Sequence, residues 1–74
     1  MPIPLSPKKL LLSKWTATVP QRREKHFLVT RVIEPLVPGG PVEQVEIEAV
    51  HSRRSRTIDW RELTDVSRWQ QGWR

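Results

Sequence analysis

The chain contains no cysteine, no tyrosine and only three glycines in 74 residues. The lack of cysteine excludes disulfide bonds, thiolate zinc ligands and cysteine nucleophiles, and with them a secreted disulfide scaffold. No apolar run is longer than three residues, whereas a membrane-spanning helix needs about 20 and a signal-peptide core about 7–15. We therefore expect a cytoplasmic protein that does not enter the membrane.

The length also limits what the chain can build. At 74 residues it is about half of a typical domain of ~150 residues, and so small a core leaves little room for a deep catalytic cleft. We expect no enzymatic activity and no cofactor. Pro2 and Pro4 predict a flexible arm over residues 1–5, followed by a single small domain over residues 6–74.

Positive charge and tryptophan are plentiful. Thirteen Lys and Arg residues against eight Asp and Glu residues give a formal net charge of +5, and there are four tryptophans. Tryptophans bury up to about 250 Å² each, so a small core without disulfides has a structural use for them. The composition predicts a small basic binding domain.

Alternation of apolar and polar residues predicts most of the fold. Ser6 as an N-cap, with Pro7 at the first helical position, predicts a short helix over residues 6–12. Strands are predicted over residues 14–19, 26–34, 42–51 and 56–61. Apolar residues on both faces of residues 26–34 predict a central strand that is covered on both sides.

The C-terminal part changes its period. Apolar residues recur at every third position from Trp60 to Trp69, and Asp59 and Glu62 have the spacing of a capping box, so helical turns are predicted through Trp69. The sequence thus predicts a mainly β (α+β) domain. It is a three- to four-stranded antiparallel sheet or a partly open small barrel, with a short N-terminal helix and a short C-terminal helical segment.

The last two predicted strands form a hairpin whose register can be derived from their faces. A four-residue loop over residues 52–55 pairs Ala49 with Ile58 and Ile47 with Trp60. This register keeps the apolar side chains of both strands on one face, which predicts that Trp60 is a core residue of the last strand.

Several short segments, taken together, form a specific pattern. They are Pro7-Lys8-Lys9-Leu10-Leu11, Ser13-Lys14-Trp15-Thr16-Ala17, Glu24-Lys25-His26-Phe27, Glu48-Ala49-Val50, Asp59-Trp60-Arg61-Glu62-Leu63, Trp69 and Gly72-Trp73. With these segments the chain resembles a family of small tryptophan-rich conserved bacterial proteins, over nearly all of its length from Pro7 to Arg74. The resemblance implies one intact domain in a soluble bacterial protein, and it implies no activity, because the family is a domain of unknown function.

The sequence shows little sign of a catalytic or metal-binding site. His26 and His51 are distant in sequence and show no metal-ligand spacing, so we expect no metal site. Asp59 and Glu62 are better explained as a cap than as a catalytic pair. No glycine-rich phosphate loop is present, because Gly39-Gly40 is flanked by prolines.

Basic residues cluster in two predicted loops. In a meander the two loops lie at the same end of the sheet, where arginines can bind phosphates bidentately. The predicted nucleic-acid-binding residues are Arg22, Arg23, Lys25, Arg53, Arg54 and Arg56.

The tryptophans divide into two groups by their neighbours. Trp15 and Trp60 lie in alternating segments and are predicted to be core, whereas Trp69 and Trp73 have polar neighbours and are candidates for stacking or docking, Trp73 above all. The leading hypothesis is a non-catalytic domain, monomeric by default, that binds nucleic acid, either RNA or single-stranded. The alternative is a protein-interaction module that docks on an acidic partner through a Trp/Arg surface.

Overall fold

The computed structural model describes residues 7–74, apart from the side chain of Lys8. It contains a five-stranded antiparallel sheet with the strand order β4-β3-β2-β1-β5. The strands are β1 (Lys14–Gln21), β2 (Glu24–Val32), β3 (Gln44–Ala49), β4 (Ser55–Asp59) and β5 (Trp69–Gln71), and 3-10 turns span Pro7–Lys9 and Trp60–Thr64.

The mainly β, antiparallel fold class is confirmed, but the sheet has five strands and is not closed. The predicted N-terminal helix is wrong, because the described residues form only the single 3-10 turn Pro7–Lys9 there. The chain leaves this turn when Leu12 adopts a left-handed φ of 64° and donates its N–H to the Val29 carbonyl, at 2.8 Å. Ser6 and the predicted arm over residues 1–5 lie outside the described residues.

A bulge in β2 changes which side chains face the core. The register of β2 against β3 shifts by one residue between Val29 and Arg31, which leaves Thr30 as an extra residue. Because side chains alternate along a strand, one extra residue moves the following positions to the other face. Val32 therefore packs on the same core as Val29, whereas regular alternation would place these two residues on opposite faces of the strand.

The β3–β4 hairpin turns earlier than the sequence predicted. The Ala49 N–H donates to the Arg54 carbonyl at 2.8 Å, and Arg53 closes the turn with a φ of 62°. Ile58 consequently pairs with Val45, so the predicted pairing with Ala49 is wrong. The displacement is an even number of residues, so Ile58 still faces the core.

Trp60 does not belong to the last predicted strand, and its predicted pairing with Ile47 is wrong. Ile47 pairs with Arg56, and Trp60 begins the 3-10 turn that Asp59 caps by accepting from the Arg61 N–H at 2.9 Å. The Trp60 indole is half-buried and donates to the Val42 carbonyl at 3.0 Å.

A short helical segment is thus present near the C-terminus, but the predicted helical turns through Trp69 are not. Residues 66–68 form a turn, after which Trp69–Gln71 pairs with β1 as a fifth strand. The carboxylate of Asp65 shapes this turn by accepting hydrogen bonds from the Ser67 N–H at 3.0 Å and the Ser67 hydroxyl at 2.6 Å. Such local bonds to an aspartate are typical of turns and compete with helix.

One face of the sheet carries the core, and we call it the core face. Val29, Val45 and Ile47 are completely buried on it. Because β4 and β5 form opposite edges of the sheet, the chain between them crosses this face, and Leu63 of the crossing segment is buried in the same cluster. Residues 60–68 thus cover part of the core face.

Matched valine substitutions test this assignment of the core. Val29→Ala removes a completely buried side chain and should lower the free energy of unfolding by about 2–3 kcal/mol, from lost transfer energy plus a cavity. Val37→Ala makes the same change at a side chain that is 70% exposed and should alter it by less than about 0.5 kcal/mol. Urea unfolding measures both, and equal effects would contradict the assignment.

The Asp65 turn predicts a pH dependence. Hydrogen bonds from Ser67 hold the pKa of the Asp65 carboxyl below its ordinary value of 3.8. A carboxyl whose pKa is lower in the folded state stabilises the fold fully above its unfolded pKa, and this stabilisation is lost as the pH falls through its folded pKa. Asp65→Asn keeps the oxygen acceptor but does not titrate, so acidification from about pH 6 to about pH 3 should lower the Tm of the original protein more. Parallel Tm curves for the two proteins would contradict this role.

Candidate nucleic-acid interface

Three connections meet at one end of the sheet. The β1–β2 turn and the β3–β4 turn lie side by side, because the Val50 N–H donates to the His26 carbonyl at 2.9 Å. The third connection, residues 65–68, reaches the same end through a hydrogen bond of 3.0 Å from the Thr18 N–H to the Arg68 carbonyl. We call this the loop end.

The core face is open at the loop end and forms a groove of about 510 Å³ there. Three arginines from the three connections and one from β4 line it, together with a single carboxylate and an apolar floor. We call it the arginine groove. Its lining includes Arg22, Arg54, Arg56, Arg68, Glu24, Ala17, Val19, Phe27 and Trp69.

The charges of the arginine groove are only partly compensated. Arg54 lies 3.8 Å from the Glu24 carboxylate, and Arg68 lies 3.4 Å from Glu62. Within the described part of the chain, Arg22 and Arg56 form no ion pair. Their guanidinium groups are exposed and free to bind an anion.

Glu24 joins the two basic turns. Its side chain is only 14% exposed, and it accepts a hydrogen bond from the Ser52 hydroxyl of the β3–β4 turn. The same carboxylate oxygen is the one that faces Arg54. This acid therefore holds the β3–β4 turn against the start of β2, and the groove keeps an excess of positive charge.

The backbone of both turns is unusual for arginine. Gln21 pairs with Glu24, so Arg22 and Arg23 alone form the loop, with φ values of 54° and 62°. A two-residue hairpin loop with two positive φ values favours Asn-Gly, since other side chains are strained there. Arg53 has a φ of 62° in the neighbouring turn. Three of the predicted phosphate-binding residues thus occupy strained positions.

The other side of the loop end carries a second basic hollow of about 350 Å³. We call it the basic pocket, and it is lined by Arg23, Lys25, His26, Val50 and His51.

The predicted cationic rim is therefore divided between the two sides of the sheet. The arginine groove receives Arg22, Arg54 and Arg56, the basic pocket receives Arg23 and Lys25, and Arg53 lines neither.

Two residues of these surfaces, Arg68 and His51, were not predicted from the sequence. Arg68 follows the Asp65 turn, so reading Asp65 as a turn residue before a strand would have placed it at the loop end. His51 lies in the β3–β4 turn beside basic residues that were selected.

The tryptophans are in very different surroundings. Trp15 is 3% exposed, which confirms it as core. Trp69 is 5% exposed and packs edge-on against Phe27, with ring centroids 5.1 Å apart, so its burial argues against the predicted stacking role. Trp73 is 44% exposed, and its indole N–H donates to the Phe27 carbonyl at 3.0 Å.

Residues 7–74 show neither a cluster of metal ligands nor a membrane-spanning helix. No group of three or more His, Asp or Glu side chains there is arranged to hold a metal ion. Neither of the 3-10 turns there approaches the length or apolar character of a membrane-spanning helix.

Comparison with known proteins identifies a family for this chain. No curated protein and no solved structure shows significant similarity to the chain. A family model described as "Tryptophan-rich protein (DUF2389)" matches residues 13–74. This range contains all five strands, both turns of the loop end and all four tryptophans. The chain therefore belongs to this tryptophan-rich family, whose function is unknown.

Proposed function

We propose that the protein is a non-catalytic domain of the bacterial cytoplasm that binds single-stranded nucleic acid, RNA above all. The observation that supports this proposal is the arginine groove, in which the three connections and β4 place four arginines around one hollow: Arg22, Arg54, Arg56 and Arg68. Guanidinium groups bind phosphate oxygens in pairs, and a groove of cations follows a sugar-phosphate backbone.

The floor of the groove favours contacts to phosphate over contacts to bases. Phe27 and Trp69 contribute to the floor, but they are only 6% and 5% exposed. Rings buried to this extent offer no free face for a base to stack on. Binding in the groove is therefore dominated by charge and has little sequence preference.

The strained turns supply a second argument. Stability alone favours Asn or Gly where Arg22 and Arg23 have positive φ values. Long cationic side chains at these positions cost stability, and strain of this kind is found at functional sites. Phosphate binding explains why arginines occupy these positions, whereas the stability of the fold does not.

A structural explanation also exists for Arg56. It lies on β4, an edge strand, and pairs with the buried Ile47, so it extends toward the core face at the rim of the sheet. Charged residues that point inward on an edge strand prevent pairing with other sheets. That role requires any charge, whereas nucleic-acid binding requires a positive one.

An acidic protein segment is the second candidate ligand. Val19 lines the groove while 75% exposed, so the groove offers an apolar contact beside its arginines. An acidic peptide with one apolar side chain would use both features.

Salt dependence tests the leading proposal. Binding of a single-stranded RNA should weaken with salt, with log K falling by ~0.7 per log unit of salt for each phosphate neutralised. Arg56→Gln should weaken binding and reduce this slope by ~0.7, because one groove contact is lost. Arg31→Gln makes the same change in charge on β2, outside both hollows, and should change neither quantity. Fluorescence anisotropy at several salt concentrations measures them.

A flat salt response, or equal effects of the two variants, would contradict the proposal. Capture from lysate with and without nuclease then separates the two candidates. Loss of every partner after nuclease treatment supports nucleic acid, and retention of an acidic protein supports the second candidate.

Substitutions in the β1–β2 turn test whether its two arginines lower the stability of the fold. The double variant Arg22→Asn, Arg23→Gly gives the turn its preferred residues and should raise the free energy of unfolding by about 1 kcal/mol. The same variant should bind RNA more weakly, because two phosphate-binding side chains are lost. Urea unfolding and anisotropy measure the two effects, and a variant that is more stable with unchanged affinity would show that the turn takes no part in binding.

A further inference from the structure

The C-terminal residues are held firmly against β1, on the side opposite the core face. The Gly72 N–H donates to the Lys14 carbonyl at 2.7 Å. The Thr16 hydroxyl donates to the Gly72 carbonyl at 2.7 Å and accepts from the Arg74 N–H at 2.8 Å. Gly72 makes this bend with a φ of 86°, a conformation that L side chains rarely adopt. The residues on both sides of Trp73 are therefore held in place by hydrogen bonds to β1.

The Trp73 indole is fixed as well, yet the residue is exposed. Its N–H donates to the Phe27 carbonyl at 3.0 Å, which sets the orientation of the ring. Trp73 as a whole is 44% exposed, and the Lys14 ammonium lies 4.7 Å from the ring centroid. An aromatic ring that is ordered in advance and open to solvent is the kind of surface on which nucleobases stack. Lys14 is exposed. Its flexible side chain can move away from the Trp73 ring, so that a base stacks on the ring and the ammonium binds a phosphate.

The stacking surface adjoins a place for phosphate. The His26 ring lies 6.1 Å from the Trp73 ring, centroid to centroid, and the same His26 lines the basic pocket. Four of the five residues that line this pocket are Arg, Lys or His, and none is acidic. Aromatic and cationic groups thus follow one another along this side of the loop end.

We propose that Trp73 and the basic pocket form a nucleotide subsite. A base stacks on the Trp73 indole, and the adjoining phosphate binds Lys25 and Arg23. This inference rests on the proposed function and deepens it. A single strand whose backbone lies in the arginine groove passes over the turns of the loop end and places a base on the opposite side, so that both basic surfaces bind one ligand.

A purely structural role for Trp73 makes a different prediction. In that role the indole covers Thr16 and His26, and its loss loosens the C-terminal residues without any dependence on bases in the ligand. The test must therefore vary the bases while the number of phosphates stays constant.

The experiment compares an oligouridylate with an abasic oligomer that has the same number of phosphates, by anisotropy at low salt. The original protein should bind the oligouridylate about 5- to 140-fold more tightly than the abasic oligomer, as expected for one stacked base. Trp73→Leu should bind both equally, at the affinity that the original protein shows for the abasic oligomer. Trp73→Phe keeps an aromatic ring without the N–H and should retain most of the preference for bases.

Trp60→Leu is the matched control. Trp60 is also half-buried, bonds a backbone carbonyl through its N–H, and carries a cation, Arg61, 5.3 Å from its ring centroid, but it lines neither hollow. Its replacement should preserve the preference for bases. Circular dichroism melts show that each variant is folded at the temperature of measurement.

The outcomes separate the inference from the proposed function. If the protein binds both oligomers with a strong salt response but Trp73→Leu keeps the preference for bases, the subsite is wrong and the groove proposal stands. If neither oligomer binds, both are wrong. Equal loss of affinity for the two oligomers in Trp73→Leu shows a structural role and overturns the subsite.

Discussion

The chain between β4 and β5 crosses the core face, and this crossing gives the single sheet a buried core. A five-stranded sheet needs cover for its apolar face, and within residues 7–74 the elements outside the sheet are two short 3-10 turns and connections. Leu63, only 2% exposed, inserts from the crossing segment into the cluster around Ile47. Asp59 and Asp65 accept backbone N–H bonds at either end of the crossing, so its polar groups are satisfied where the chain changes direction.

The position of this crossing explains why a groove exists at all. Leu63 and the 3-10 turn lie over the core cluster, whereas the hollow at the loop end begins where residues 67–69 turn into β5. The same crossing delivers Arg68 to the groove and sends the chain along β1, from which Gly72 redirects it to the other side of the sheet. The C-terminal segment therefore lines the arginine groove with Arg68 and places Trp73 beside His26, which lines the basic pocket. This continuity is why we propose that the two surfaces bind one ligand.

The features of the fold that could be predicted from the sequence are those that depend on a local pattern of residues. The strands β1, β3 and β4 were found within a few residues because one face of each is apolar and the other is polar, as Val45 and Ile47 alternate with glutamates. The Thr30 bulge was not predicted, because a bulged strand with one buried face reads like a regular strand with two. β5 was missed because Gln70 and Gln71 show no apolar alternation and pair with β1 only through long-range contacts. The clusters of basic residues were visible in the sequence. Their division between the two sides of the sheet was not, because it depends on left-handed turns, and arginine is not a residue type that predicts such turns.

The stability of a domain this size makes those turns informative. At 0.05–0.15 kcal/mol per residue, the whole fold has about 4–11 kcal/mol of stability, while each non-glycine residue in the left-handed region costs about 1–2 kcal/mol. Arg22, Arg23 and Arg53 all occupy that region at the loop end, and Glu24, whose side chain is only 14% exposed, offsets the repulsion around them by joining the two turns. At the opposite end of the sheet, Arg61 is paired with Glu43 at 2.9 Å and Asp59 at 3.2 Å, and these acids, Glu43 first, raise the pKa of the Arg61 guanidinium above its ordinary value. The three arginines on strained backbone at the loop end form no ion pair within the described residues. Stability alone does not favour arginines on strained backbone, which is why we propose that the loop end is the part of the molecule that binds a polyanion.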